Sequence, residues 1–316
     1  MDLSDSMKIS VCMIVKNEED SLKTCLESLK TIWDELIIVD TGSTDSTKEI
    51  ASHYTDKIYD FDWTGSFSDA RNYAFSLAKG DYIYSADADE ELDAENIERF
   101  ISLKNNLLEE IEIVEMYYCN QLDNNTIYNY DRELRPKLYK RVREYTWIES
   151  IHEMVRLDPV VYESDIEIIH RPKSNHANRD LGAFEKLLTS GANLSQRLID
   201  IYSKELYIAG TKDNYIKAKE FFEKRCEEDS GDNLTRDFVL AALCARRTGD
   251  DTAMFKYALR GIAENPSSEL CYELGCYFKE KGDLCEGNMW FYNAVYETEP
   301  IICTECVKLA KEEIEQ

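Results

Sequence analysis

The first part of the chain alternates short apolar runs with helical stretches, and this leaves few ways to fold. The runs are ISVCMIV (Ile9 to Val15), ELIIVD (Glu35 to Asp40), DKIYDFDW (Asp56 to Trp63) and DYIYSADADEE (Asp81 to Glu91). Strands that stay apolar instead of alternating are covered on both faces, so the pattern predicts a mostly parallel sheet between helical layers. KNEEDSLKTCLESLK puts Leu22, Cys25, Leu26 and Leu29 on one helical face and predicts acids in the first turn. TGSTDSTKEIASHY turns at Gly42 and offers Ser43 or Thr44 as the N-cap of a second helix. SFSDARNYAFSLAKG predicts a third, capped by Ser66 or Ser68 and closed by Gly80.

In sheets of this kind ligands bind beyond the carboxyl ends of the strands. The polar residues there are Lys16, Asn17 and Glu18 after the first strand, Asp40 after the second, and Asp87 and Asp89 after the fourth. They are expected to converge on one crevice. The sequence holds two D-x-D pairs, Asp60/Asp62 and Asp87/Asp89, in a chain with 63 acidic residues against 37 basic ones. The small neighbours Ser85, Ala86 and Ala88, and the added Glu91, favour the second pair; Asp60 and Asp62 read as a solvated loop. Such crowded carboxylates repel one another unless a cation sits among them.

The formal charge of -26 disfavours nucleic acid and anionic membranes as partners. A phosphate-bearing ligand needs a local remedy, such as a divalent ion. No run is long and apolar enough to span a membrane, and MDLSDSMKIS does not resemble a signal peptide. With Cys12, Cys25, Cys244 and Cys276 among apolar neighbours, the expectation is a reducing cytoplasm and no disulfides. There is neither G-x-G-x-x-G nor a P-loop signature. Cys303-x-x-Cys306 supplies only two of the four ligands of a structural zinc.

EIVEMYYCNQL, ELRPKLYKR and SDIEIIHRP predict strands of mixed direction, with YTWIESIHEMV between them. Past His176 the chain turns helical. AGTKDNYIKAKEFFEKRCEED, RTGDDTAMFKYALRGIAENP and EKGDLCEGNMWFYNAVYETEP read as copies of one unit, each with a Gly, then an Asp, then an amphipathic helix. The spacing of Gly249 and Gly282 is about that of a tetratricopeptide repeat, and Ala218, Ala258 and Ala294 are the small residues that close helix packing wants. Two domains are expected, 1–178 and 179–316.

SVCMIVKNEED, IIVDTGSTDST, ARNYAFSLAKGDYIYSADADEEL and KLYKRVREYTWIESIHEMV together resemble the family 2 glycosyltransferases. The likeness is greatest to the bacterial subgroup with tetratricopeptide repeats behind the transferase domain, which includes enzymes that glycosylate peptides and proteins. The resemblance implies an α/β GT-A fold, Rossmann-like with a mostly parallel sheet, followed by an all-α repeat domain. It implies inverting transfer of a hexosyl group from a nucleotide sugar, UDP-linked, with Mn²⁺ or Mg²⁺. Asp89 would ligate the metal, with Glu91 and His170 as further ligands. Asp87 and Ala88 would meet the ribose or the metal's outer shell. Val15, Lys16, Asn17, Glu18 and Asp40 would form the base pocket, with Gly42 and Ser43 letting the backbone come close. Asp69 would touch sugar hydroxyls and Arg71 the diphosphate or sugar. Glu153 would be the general base, with Glu149 and His152 as alternatives; Trp147 would stack on sugar or acceptor. Read as ordinary structure, Asp40 caps its own turn, Arg71 pairs with Asp69 or Asp60, and Trp147 is core. The repeats would bind a peptide or protein acceptor or another copy of the chain, or merely cover an apolar flank. The other readings are a sugar nucleotidyltransferase, whose Gly-rich basic start is missing here, and a degenerate domain serving as a scaffold.

Overall fold

A computed structural model describes residues 7–120, 132–141, 147–155, 159–171, 177–228 and 234–315. The chain divides into two compact units, Met1–Asn175 and His176–Gln316.

The first unit begins with β1 (Ile9–Val15), α1 (Leu22–Leu29), β2 (Glu35–Asp40), α2 (Thr47–Ser52), β3 (Ile58–Asp60), α3 (Phe67–Leu77) and β4 (Tyr82–Ala86). It continues with β5 (Glu90–Glu91), α4 (Ala94–Asn106), β6 (Ile113–Asn120), β7 (Glu133–Lys140), β8 (Trp147–Ile148), β9 (Met154–Val155) and β10 (Val161–His170). Among the described residues, eight strands form one sheet in the order β3-β2-β1-β4-β7-β6-β10-β5. β1 to β4 are mutually parallel where they pair. β7 enters antiparallel between β4 and β6, and β10 runs parallel to β6. β8 and β9 make a separate two-stranded ribbon.

The unbroken apolar runs have the expected cause. Successive side chains on a strand point to opposite faces, and both faces are buried. Val11, Met13, Leu36, Ile38 and Tyr84 pack with Leu22, Leu26 and Phe100 on one side. Cys12, Ile37, Val39 and Ile83 pack with Ala74, Phe75, Tyr139 and Trp147 on the other. Val15 pairs with Asp40, Asp40 with Asp60, and Met13 with Ala86, so the carboxyl ends of these strands line up along one rim.

Several helix ends differ from the sequence expectation. α1 starts at Leu22, so Glu18, Glu19 and Asp20 precede it instead of filling its first turn. α2 starts at Thr47 with Ser46 at the N-cap. Ser43 and Thr44 do not cap it because they lace two loops together: Ser43 Oγ accepts from the Asn17 amide at 2.9 Å, and the Thr44 amide donates to Asn17 Oδ1 at 2.8 Å. Ser66 does cap α3, accepting from the Asp69 amide. Gly80 lies beyond the end of α3 at Leu77. What Gly80 supplies is clearance, since a Cβ there would fall 2.7 Å from the Ser10 backbone nitrogen.

The second unit is helical: α5 (Ala177–Thr189), α6 (Gln196–Ala209), α7 (Lys212–Glu228), α8 (Leu234–Thr248), α9 (Asp251–Glu264), α10 (Ser268–Glu280), α11 (Leu284–Tyr296) and α12 (Glu305–Ile314). The three similar stretches are α7, α9 and α11 with their entry turns. Gly249 and Gly282 adopt φ of 83° and 86°, which glycine reaches without strain. Asp250 and Asp283 then cap α9 and α11. Gly210 does not share this conformation; a Cβ there would lie 2.7 Å from the Tyr215 ring. Ala218, Ala258 and Ala294 are fully buried. α8 is buried on every side from Asp237 to Arg246, as an apolar helix at the centre of a stack must be. Glu269 of α10 has no exposed surface, and its carboxylate accepts from the amides of Ile301, Ile302 and Cys303.

All ten cysteines are free thiols. Burial pushes the Cys303 and Cys306 thiols up, and Cys306 Sγ donates to the Cys303 carbonyl. No helix among the described residues is long and apolar enough to cross a membrane.

Candidate functional site

Arg71 is the hub of the rim. It leaves the first turns of α3, is almost buried, and spends its guanidinium on three partners. Nη2 donates to Asp87 Oδ1 at 2.9 Å, Nη1 to Ser85 Oγ at 2.6 Å, and Nε to Glu153 Oε1. Its Cζ lies 5.2 Å from the centre of the Trp147 ring. The pairing with Asp69 or Asp60 allowed by sequence is not made by these bonds: Asp69 accepts from Thr64 Oγ1, and Asp60 pairs with Lys48. Burial alone would raise the Asp87 carboxyl, but the charges of Arg71 and then Lys137 outweigh it and hold that carboxyl well below the usual range.

Lys137 was not among the sequence candidates. It projects from β7, is 5% exposed, and binds Glu90 directly. Its ammonium also lies 3.3 Å from the Ser85 carbonyl and 3.6 Å from Asp87 Oδ2. Glu90 is buried too, and burial pushes its carboxyl up to about 7 against the pull of Lys137. Glu91, next on the two-residue strand, points the other way and meets Arg171 Nε at 3.0 Å. Fixed protein cations therefore separate most of the crowded carboxylates.

Asp89 is held differently. Its Oδ2 lies 3.0 Å from His170 Nε2, at the end of β10. Two donors bound to one small divalent ion at about 2.1 Å and right angles sit about 3 Å apart, so this pair fits a shared ion. An oxygen beside an imidazole suits Mn²⁺ and tolerates Mg²⁺. Glu91 is not brought into this pair; its described partner is Arg171.

Asp40 ends β2 and is 1% exposed. Its Oδ1 accepts from the Gly42 and Ser43 amides, both at 2.9 Å, so it does cap its own turn. Its Oδ2 is buried without a hydrogen-bond partner. Gly42, at φ 101°, gives that turn its shape. Val15 pairs with Asp40, Lys16 is exposed beside it, Asn17 adopts φ 56°, and the Glu18 amide donates to Thr47 Oγ1. The structure thus gathers Val15, Lys16, Asn17, Glu18, Asp40, Gly42 and Ser43 into two laced loops. Ala88 is buried between Asp87 and Asp89.

Glu149 and His152 have φ of 67° and 50°, a conformation uncommon outside glycine and one that tends to gather at functional sites. The segment is anchored to α3 twice: the Phe67 amide donates to the Ser150 carbonyl, and Asn72 brackets the Trp147 backbone. Glu153 is the member of this segment that reaches Arg71. Trp147 belongs to the core, edge-on to Phe75 and Tyr139.

Residues 10–156 match the family model described as glycosyl transferase family 2. An uncharacterized glycosyltransferase of Rickettsia typhi is 31% identical over 175 residues, covering 51% of this chain and 56% of that protein. A TPR repeat-containing protein of Synechococcus elongatus is 49% identical over 85 residues, 27% of this chain and 21% of that protein. The chain thus spans little more than half, or less, of the length of these relatives. The solved glucosyl-3-phosphoglycerate synthase of Mycobacterium tuberculosis, in complex with Mn²⁺ and UDP-glucose, aligns at TM-score 0.43 and 14% identity, over 60% of this chain and 81% of its own. The stretch that matches the glycosyl transferase family 2 model carries Arg71, Asp87, Asp89, Lys137 and Glu153.

Proposed function

We propose that the first unit transfers a hexose, with inversion, from a UDP-sugar to an acceptor hydroxyl of a peptide or protein that the helical unit helps to hold. The observation that carries this reading is the pairing of Asp89 with His170 beside an Asp87 already neutralised by Arg71 and Lys137. Asp89 and His170 would hold Mn²⁺ or Mg²⁺, which when bound stabilises the charge gathering on the departing diphosphate.

The chain's own residues do the rest. Asp40 Oδ2, short of a donor, accepts the imide N–H of the base, while Val15 to Glu18 and the Gly42–Ser43 turn enclose it. Asp87, fixed by its cations, orients the ribose. Arg71 couples that carboxylate to Glu153, so the donor side and the acceptor side of the site are set by one guanidinium. The acceptor oxygen attacks the anomeric carbon as the bond to the diphosphate oxygen breaks, and Glu153 takes the acceptor's proton. Glu149 and His152 shape the loop that presents it.

The test is incubation with a panel of UDP-sugars and Mn²⁺, followed by mass spectrometry of candidate acceptors and of free sugar. Asp89→Ala is expected to lower turnover on the order of 10²–10³-fold, the equivalent of losing several kcal/mol of charge stabilisation. Undiminished turnover in that variant, or no reaction with any nucleotide sugar, would remove the reading.

A further inference from the structure

Lys137 lies inside this cluster but has no part in the transfer step. A buried ammonium is costly unless it is paired and hydrogen-bonded, and this one is provided for on every side. Glu90 binds it, the Ser85 carbonyl accepts from it, Asp87 Oδ2 faces it, and the Tyr118 ring centre lies 5.3 Å away. Glu90 alone would satisfy its charge. The additional approach to Asp87 is what calls for an explanation.

Asp87 has two oxygens and both are engaged, Oδ1 by Arg71 and Oδ2 by Lys137. A metal ion on Oδ2 would come up against the Lys137 ammonium, a like charge that repels it. Asp89, two residues on, meets an imidazole instead. The two carboxylates of the motif therefore stand in different electrostatic surroundings, and β7 creates the difference.

We propose that Lys137 is a positioning residue that keeps Asp87 out of the metal's ligand shell, leaving Asp89 as the motif carboxylate that binds the ion. This rests on the reading above that the site takes a divalent cation. Its consequence is counterintuitive: removing Lys137 together with its partner Glu90 should tighten metal binding, because the Asp87 carboxylate is released to the ion. Damage to the fold would weaken binding, so the direction of the change separates the two.

The experiment is titration with Mn²⁺ alone and with UDP, followed by electron paramagnetic resonance of the free ion, on full-length protein. Lys137→Met is combined with Glu90→Gln so that no carboxylate is left buried beside a missing partner. This double variant leaves the net charge beside the site unchanged, so a gain reports the released Asp87 carboxylate; it is expected to bind Mn²⁺ about tenfold more tightly than wild type. Adding Asp87→Asn should return the affinity to within about threefold of wild type, and Lys137→Arg alone should leave it there. Affinity in the double variant that is unchanged or weaker, or a gain that survives Asp87→Asn, overturns the proposal alone. Wild-type protein that takes up no Mn²⁺ with or without UDP overturns the metal-site reading and this proposal with it.

Discussion

Arg71→Met is the most informative single change, because one guanidinium holds both halves of the rim. The substitution keeps the length of the side chain and its packing against Trp147, and deletes the charge. Two largely covered carboxylates lose a partner. Asp87 keeps Lys137 at 3.6 Å, while Glu153 loses the cation to which its Oε1 is bound. Breaking a buried pair by removing one partner costs about 3–5 kcal/mol. Because Asp87 retains a second cation, the lower part of that range is expected, about 3 kcal/mol. The Ser85 hydroxyl loses its donor as well, which adds about 1 kcal/mol. The assay is urea unfolding of wild type, Arg71→Met, and Arg71→Met with Glu153→Gln, read by hydrogen exchange in α3 and β4 so that the first unit is followed by itself. The second change should restore at least half of the loss, because a neutral amide tolerates the site that a lone carboxylate does not. A loss below about 1 kcal/mol, or no recovery with Glu153→Gln, would show that the three partners are not coupled through Arg71.

Glu205 of α6 is 2% exposed, and burial, helped by the charge of Asp180, pushes its carboxyl up to about 7 despite Lys204 and Arg179. A folded-state value above the unfolded one means that this group penalises the folded state fully above pH 7 and not at all below the ordinary carboxyl range, so its contribution worsens as pH rises between the two. Glu205→Gln should therefore stabilise the protein by up to about 3 kcal/mol at pH 8 and by almost nothing at pH 4.5, measured as the difference in unfolding free energy at each pH. Glu269→Gln should destabilise the loop before α12 by about 2 kcal/mol, since it swaps a charged acceptor of three amides for a neutral one. Faster exchange of the Ile301, Ile302 and Cys303 amides is the expected sign, and unchanged exchange would count against it.

The parts of this fold legible in the sequence are those set by local pattern. The doubly covered strands, the Ser66 cap and the strand-end positions of Lys16, Asp40 and Asp87 follow from runs only a few residues long. The second D-x-D, which its small neighbours and Glu91 favour, lies among Arg71, Lys137 and His170. What escaped was decided by distant pairing. Lys137 sits in ELRPKLYKR, a strand whose neighbours in the sheet no local pattern names. It becomes central because β7 inserts antiparallel between β4 and β6. A lysine between Pro136 and Leu138, in a strand whose neighbours are apolar, was the available signal. Glu91 is close in sequence to Asp89, and the partner the fold gives it is Arg171, a residue that no local rule names. Ser43 and Thr44 had the right chemistry for a cap and were engaged by Asn17, a partner no local rule would name.

The carboxylate of Glu269 has a consequence for how the helical stack could be re-engineered. Repeat arrays invite shortening by a unit, because each layer leans on its neighbours alone. Here the last helix is keyed into α10 by an anion seated in a ring of main-chain amides. Cutting the array before Ile301 would take away the three amides from which Glu269 accepts, so a trimmed version needs a new partner for that carboxylate or a neutral residue in its place.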